Sequence, residues 1–197
     1  MQRCDLIVGE GATELAIAKR ILHTCGVPCD GARFIDKGGR KRFWSDAVKY
    51  AAAAENGISV LGLADLENDP CAGWLFARHL PHGRPSKFKL RLAVHMAESW
   101  LLADRAAVAR WLRVSPQLLS TQPDGDPHAK FTLVNLARHS PIRSLKETLV
   151  PARGHSGVVG REYLPTIRNF ITSHWEPDRA AQNSPSLAKA LHAIREP

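Results

Sequence analysis

Two short acidic segments hold the residues whose types and spacing could do chemistry. Glu10-Gly11-Ala12-Thr13-Glu14 follows the apolar run Leu6-Ile7-Val8, and Asp65-Leu66-Glu67-Asn68-Asp69 follows the apolar stretch 58–64. Carboxylates gathered at one place repel one another and raise one another's pKa values. A divalent cation resolves that repulsion. Mg²⁺ and Mn²⁺ take hard oxygen ligands and keep waters for a substrate phosphate. The chemistry such a site suits is phosphodiester cleavage, in which bound ions lower the pKa of a water, orient the phosphate and stabilise the leaving oxygen. A plainer reading stands beside this one. A helix N-terminus favours Glu10 and Glu14 through its dipole, and 65–69 reads as a solvated turn in which Asp69 caps the helix after Pro70.

The elements that must position these groups follow from the hydrophobic pattern. Residues 6–9 read as a strand. A helix is predicted over 13–25, with Thr13 as N-cap, an apolar stripe of Leu15, Ile17, Ala18, Ile21 and Leu22, and a stop at Gly26-Val27-Pro28. Strands are predicted over 32–35, 58–64 and 88–94. The second of these is nearly all apolar, as in a strand covered on both faces. Helices are predicted over 45–55, 70–79 and 97–112, the last in two pieces around Asp104. Alternating strands and helices imply an α/β layer with a mostly parallel central sheet flanked by helices. Both acidic turns then lie at the carboxyl ends of strands, the edge where such sheets bind ligands.

The second half reads differently. Residues 115–130 hold Pro116, Pro123, Gly125 and Pro127 and are predicted as loop. Helices are predicted over 142–150, 161–173 and 186–194, with a flexible connection over 151–160. The expected organisation is an α/β core over 1–112 and a loop-and-helix C-terminal extension over 113–197, packed as one unit.

With 197 residues, 44% hydrophobic and 23% charged, the chain has the composition of a globular domain rather than a disordered one. No run approaches the roughly 20 apolar residues of a membrane-spanning helix. No charged leader precedes the first strand, so the expectation is a cytoplasmic protein. Lys and Arg total 27 against 19 Asp and Glu, a formal charge of +8. That excess favours a polyanionic partner, nucleic acid above all.

The densest basic stretch is Lys37-Gly38-Gly39-Arg40-Lys41-Arg42-Phe43-Trp44. Its glycines let backbone N–H groups approach a phosphate, and Phe43 or Trp44 could stack on a base. The alternative is a solvated loop with both rings packed inside. A second basic segment, with Arg84, Lys87 and Lys89, suggests a cationic strand face. Arg153-Gly154-His155-Ser156-Gly157 reads as a plain linker or a loop closing on phosphate. Cys25 and Cys29, with His23, and the pair His79 and His82 hint at zinc without a complete ligand set. The four cysteines are expected to be reduced thiols.

In this order the residues resemble a known family. Glu10-Gly11-x-Thr13-Glu14 after an apolar strand is similar to the first motif of Toprim domains, the metal-binding modules of topoisomerases, DnaG-type primases and OLD-type nucleases. Asp65-x-Glu67-x-Asp69 resembles the second motif. Ala97-Glu98-Ser99-Trp100-Leu101-Leu102-Ala103-Asp104 and Asn183-Ser184-Pro185-Ser186-Leu187 resemble segments of a Toprim-like bacterial family often encoded beside ATPases in defence-type loci. The resemblance implies a Toprim-like fold and a Mg²⁺- or Mn²⁺-dependent nuclease. Glu10 would be the general acid/base or face the metal, Asp65 the main ligand and Glu67 the second. Asp69 and Glu98 would be further ligands or hold ligands in place, and Glu14 would be a ligand or a helix cap. Glu67 stands where the family pattern has Asp, and its longer reach bears on a second metal.

The expected function is therefore a metal-dependent nuclease with Glu10, Asp65 and Glu67 catalytic, with Lys37, Arg40, Lys41, Arg42, Arg84, Lys87 and Lys89 on nucleic acid, and with an ATPase partner in antiviral defence. Self-association stays open. Two other readings stay open as well: a Toprim-shaped subunit that binds without cutting, and a dinucleotide-binding protein built on Gly9-x-Gly11 and Asp36. For Glu98 and Asp104 the plainer reading is acids facing solvent while Trp100, Leu101 and Leu102 fill the core.

Overall fold

The computed structural model describes residues 1–196. Four strands, β1 (Leu6–Gly9), β2 (Arg33–Asp36), β3 (Val60–Asp65) and β4 (Phe88–Ala93), form one parallel sheet in the order β2-β1-β3-β4. Gly9 pairs in register with Asp36 and Leu63, and Asp65 with Ala93, so all four carboxyl ends meet at one edge. β3 is buried at all six positions, as its unbroken apolar run implies. The α/β class and the parallel sheet are as the sequence predicts.

The chain order dictates which face each crossover covers. From β1 the chain moves to one side through α1 (Ala12–Thr24), then returns past β1 to β3 through α2 (Arg40–Ser45) and α3 (Ala47–Glu55). Right-handed crossovers running in opposite directions fall on opposite faces. Two apolar clusters result. One gathers Val8, Phe43, Tyr50, Val60 and Phe88 under α2, α3 and α4 (Ala72–His79). The other joins Ile7, Leu22, Leu61 and Leu63 to Trp100, Val134, Phe170 and Leu191. The reversal of direction falls between the ends of β1 and β3, the position at which a doubly wound sheet takes its ligand.

The larger cluster carries the C-terminal helical part: α5 (Ala97–Ala103), α6 (Arg105–Leu112), α7 (Ala129–Arg138), α8 (Arg143–Leu149), α9 (Tyr163–Ser173), α10 (Pro177–Ala180) and α11 (Pro185–Arg195). The predicted helix over 97–112 is broken at Asp104, whose Oδ1 accepts from the Ala107 N–H at 3.2 Å and starts α6. Among the described residues three helices, α2, α7 and α10, go beyond the sequence reading. α7 arises within and after the predicted loop, because Ala129, Leu133, Val134, Leu136 and Ala137 lie on one buried side of it. The four-residue α10 is too short to show a period. The basic stretch at 37–44, expected as loop, enters α2 at Arg40, and the predicted helix over 45–55 begins anew at Ala47. Residues 151–160 carry neither helix nor strand. Pro197, the end of the expected extension, lies outside the described residues. Among the described residues no helix is long and apolar enough to cross a membrane.

Candidate functional site

The first acidic turn is tight because Gly9 has no side chain. A Cβ there would lie 2.9–3.1 Å from the Gly11 carbonyl, Leu15 Cγ and Glu14 Cβ. α1 begins at Ala12, with its N-cap two residues earlier than predicted. Gly11, not Thr13, is its N-cap, and Thr13 is buried inside the first turn. Glu10 and Glu14 both turn inward, each 8% exposed.

At the neighbouring strand end, Asp65 is likewise 8% exposed. Glu10 Oε1 accepts from the Asp65 N–H at 3.4 Å, so the two motifs meet across the crevice. Asp65 Oδ1 accepts from the Ala97 N–H at 2.8 Å, which anchors the first turn of α5. Glu98, next along that turn, is 1% exposed. The solvent-facing reading of Glu98 and Asp104 is overturned, since both are buried; Asp104 instead binds Arg179 through Nε at 2.6 Å and Nη2 at 2.7 Å.

Two cations divide the acids into an outer and an inner set. Arg40 serves the outer set. Its Nη1 donates to the Asp65 carbonyl at 2.6 Å and lies 3.6 Å from Glu10 Oε1, its Nε lies 3.5 Å from Glu67 Oε2, and its Nη2 pairs with Asp69. Lys130, on α7, serves the inner set, with Nζ 3.4 Å from Glu98 Oε1. The Tyr163 hydroxyl, on α9, donates to the same oxygen at 3.1 Å. Glu98 Oε2 is buried with no hydrogen-bond partner among the described residues.

The electrostatics follow from this crowding. Burial pushes the Glu10 carboxyl up to about 7, with Glu14 and Glu67 adding repulsion and Arg40 opposing. Burial and then Glu98 raise Glu14. Asp65 lies well above the usual carboxylate range through burial, then Glu14, Glu98 and Glu10. For Lys130, burial works against the charge, but Glu98, Glu14 and Asp65 outweigh it and raise the ammonium. Ionised together, the inner acids would carry more negative charge than Lys130 alone offsets, which is why Glu14 and Asp65 hold their protons more tightly.

Of the expected metal residues, Glu10, Glu14, Asp65 and Glu98 come together as buried acids, while Glu67 and Asp69 stand at the rim on Arg40. Glu67 adopts a left-handed backbone (φ 52°), and its N–H and carbonyl bond His95, the latter accepting from or facing Nδ1 at 2.6 Å. Asp69 does not cap the next helix; Cys71 does, its Sγ accepting from the Trp74 N–H at 3.4 Å. As the side chains stand, no three His, Cys, Asp or Glu among the described residues are grouped to hold one ion. Arg40 and Lys130 occupy the places between them.

The basic residues separate. Arg40 belongs to the acidic site rather than to an open cationic surface. Lys37 pairs with Asp46, while Lys41 and Arg42 are exposed on α2. Phe43 and Trp44 are 0% and 4% exposed, so packing and not base stacking describes them. Arg84, Lys87 and Lys89 do not share the acidic edge. Lys87 Nζ donates to the Gly57 carbonyl at 3.0 Å, at the amino end of β4. At ~3.3 Å per residue that end lies roughly 20 Å from the acidic one. Arg84 is tied to the Leu90 carbonyl at 3.0 Å and lies over the Phe76 ring.

Lys130, Tyr163 and His95 are the groups that sequence reasoning missed. Nothing local marks them: each is defined by a partner 28 to 65 positions away or, for Lys130, by a helix that the loop reading hid. No family model matches this chain, and no curated protein and no solved structure matches it.

Proposed function

We propose that the chain is a metal-dependent nuclease that hydrolyses phosphodiester bonds of DNA or RNA at the crevice between β1 and β3. One observation carries this reading: Glu10, Glu14, Asp65 and Glu98 are buried together at the carboxyl edge of a parallel sheet, with Glu98 Oε2 left without a partner. Burying several carboxylates with too few cations is unfavourable for folding alone. Hard-oxygen donors of this kind fit Mg²⁺ or Mn²⁺. Glu10 and Asp65 would hold the ion, with Glu14 and Glu98 completing or supporting the set. When bound, the ion supplies charge neutralisation at the phosphate and a water of lowered pKa. Where Glu10 does not hold the ion, it would instead take the proton of the attacking water on the carboxylate oxygen that the Asp65 N–H and Arg40 leave free. Arg40 is held by Asp69, Glu67 and the Asp65 carbonyl at the rim, where an incoming phosphate would have to displace a carboxylate to reach its guanidinium. The Toprim resemblance supports the same assignment and extends it to an ATPase partner in antiviral defence.

A second reading is favoured by Arg40 itself. A guanidinium among Glu10, Glu67 and Asp69 already neutralises the outer acids, as in a Toprim-shaped subunit that binds an ATPase or nucleic acid without cutting. Incubating varied DNA and RNA substrates with Mg²⁺ or Mn²⁺, with and without a neighbouring ATPase, separates the two. Cleavage lost with chelator and in Glu10→Gln and Asp65→Asn supports the nuclease; cleavage at the wild-type rate in either variant defeats it.

A further inference from the structure

A groove of ≈ 540 Å³ opens between α2 and α4, beside the acidic site, and its lining includes Arg40, Lys41, Trp44, Trp74, Arg78 and His79, with Asp69 at one end. Arg40 and Asp69 belong to both places, so the groove adjoins the acidic site. Its wall is aromatic. Trp44 is buried and stacks on His79 with centroids 4.7 Å apart and planes 29° from parallel. Trp74 is different: it is 41% exposed, on the outer side of a helix whose Leu75 is 1% exposed. The Arg78 guanidinium sits 5.1 Å from the Trp74 ring centre.

The charge of the groove is one-sided. Among the described residues Asp69 is the sole carboxylate lining it, and Arg40 engages that acid. Among the described residues neither Lys41 nor Arg78 pairs with a carboxylate, so their charge faces the groove uncompensated. An accessible indole flanked by unpaired cations is complementary to a ligand that is flat, aromatic and anionic at once. An unpaired nucleotide of a nucleic acid strand has that composition, since its base offers a π-face and its phosphates meet the cations. A duplex conceals its base faces in the stack and fits less well.

We infer that the α2–α4 groove is a binding subsite for single-stranded nucleic acid, with a base stacked on Trp74 and the backbone held by Lys41 and Arg78. The inference rests on the nuclease reading for its substrate class, and adds that the strand enters the crevice past Arg40 and Asp69.

The test is fluorescence anisotropy of labelled single-stranded DNA and RNA oligonucleotides and of a duplex of the same sequence, in chelator so that no cutting intervenes. Trp74→Ala should weaken single-strand binding about tenfold or more, from the loss of one base stack. Trp74→Phe should retain most of it, and Arg78→Gln should weaken it and flatten its salt dependence. Lys87→Gln, at the opposite edge, should bind as the wild type does. Trp74 is exposed, so its variants keep the fold, which circular dichroism checks. Unchanged affinity in Trp74→Ala, equal affinity for duplex, or no binding at all overturns the subsite. Trp74-dependent binding with no cleavage under Mg²⁺ or Mn²⁺ supports the subsite and counts against the nuclease. Cleavage by a protein whose single-strand affinity ignores Trp74 does the reverse.

Discussion

Asp65 holds the first turn of the helix that carries Glu98, its Oδ1 accepting from the Ala97 N–H at 2.8 Å. One carboxylate therefore has two duties, to fasten α5 to the end of β3 and to contribute charge to the crevice. The duties separate by substitution. The amide oxygen of Asp65→Asn can still accept from Ala97, whereas Asp65→Ala leaves that N–H unpaired. We expect Asp65→Asn to melt near or above the wild-type temperature without metal, and Asp65→Ala to lose ~1 kcal/mol. Saturating Mn²⁺ should raise the melting temperature of the wild type, by ~2.7 kcal/mol of stability at a hundredfold excess over Kd, and should leave Asp65→Asn unmoved. Differential scanning fluorimetry reads all three.

Glu10 makes stability depend on pH in a direction opposite to that of an ordinary ion-paired acid. Its carboxyl is raised from 4.5 to about 7 in the folded protein. The unfolded chain therefore releases this proton first as pH rises. The contribution is fully present below pH 4.5, declines above it and is gone beyond about 7. In chelator, wild type should lose up to ~3 kcal/mol relative to Glu10→Gln between the two pH values. Parallel urea melts of the two proteins at pH 5 and pH 8 measure it; a constant difference between them contradicts the buried, crowded placement of Glu10.

Lys130 is the counterion that lets the inner acids coexist. Replacing it in Lys130→Met removes the one cation that, among the described residues, lies within reach of Glu98 Oε1. Its amine remains partly hydrated, so the expected loss is modest, ~1–2 kcal/mol. Glu98→Gln introduced together with Lys130→Met should recover most of that loss, because the uncompensated charge is removed with its partner. A double-mutant cycle by chemical denaturation gives the coupling. Additive effects would mean that the two side chains act independently.

Asp104 stitches the C-terminal helices to the core. Fully buried, it accepts from the Ala107 N–H, the Glu176 N–H at 2.9 Å and two Arg179 nitrogens. Asp104→Ala strands these donors, and we expect ~3 kcal/mol of destabilisation, roughly 10 °C in melting temperature for a chain of this size. Arg179→Met should cost less, because two backbone donors still satisfy the carboxylate. Thermal melts followed by circular dichroism compare the two.

The parts of the molecule that repeat at short range are legible in the sequence. The apolar run before Asp65 marks a strand covered on both faces, and the stripe from Leu15 to Leu22 marks α1. With the strand order unknown, the alternation of elements still places both acidic turns at carboxyl ends. A one-dimensional pattern can do this because side-chain period and burial are set by local geometry. It cannot say which charges neighbour which. Arg40 reads as one more cation in a basic stretch until the fold sets its guanidinium among Glu10, Glu67 and Asp69; Arg84, Lys87 and Lys89 read as its companions until the sheet puts Lys87 at the opposite end. The chain by itself determined the elements and the acids at their ends. Only the tertiary structure decided their counterions, Arg40 and Lys130, and their burial, because Coulomb energies depend on distances through space and on the water excluded between groups, neither of which is written along the chain.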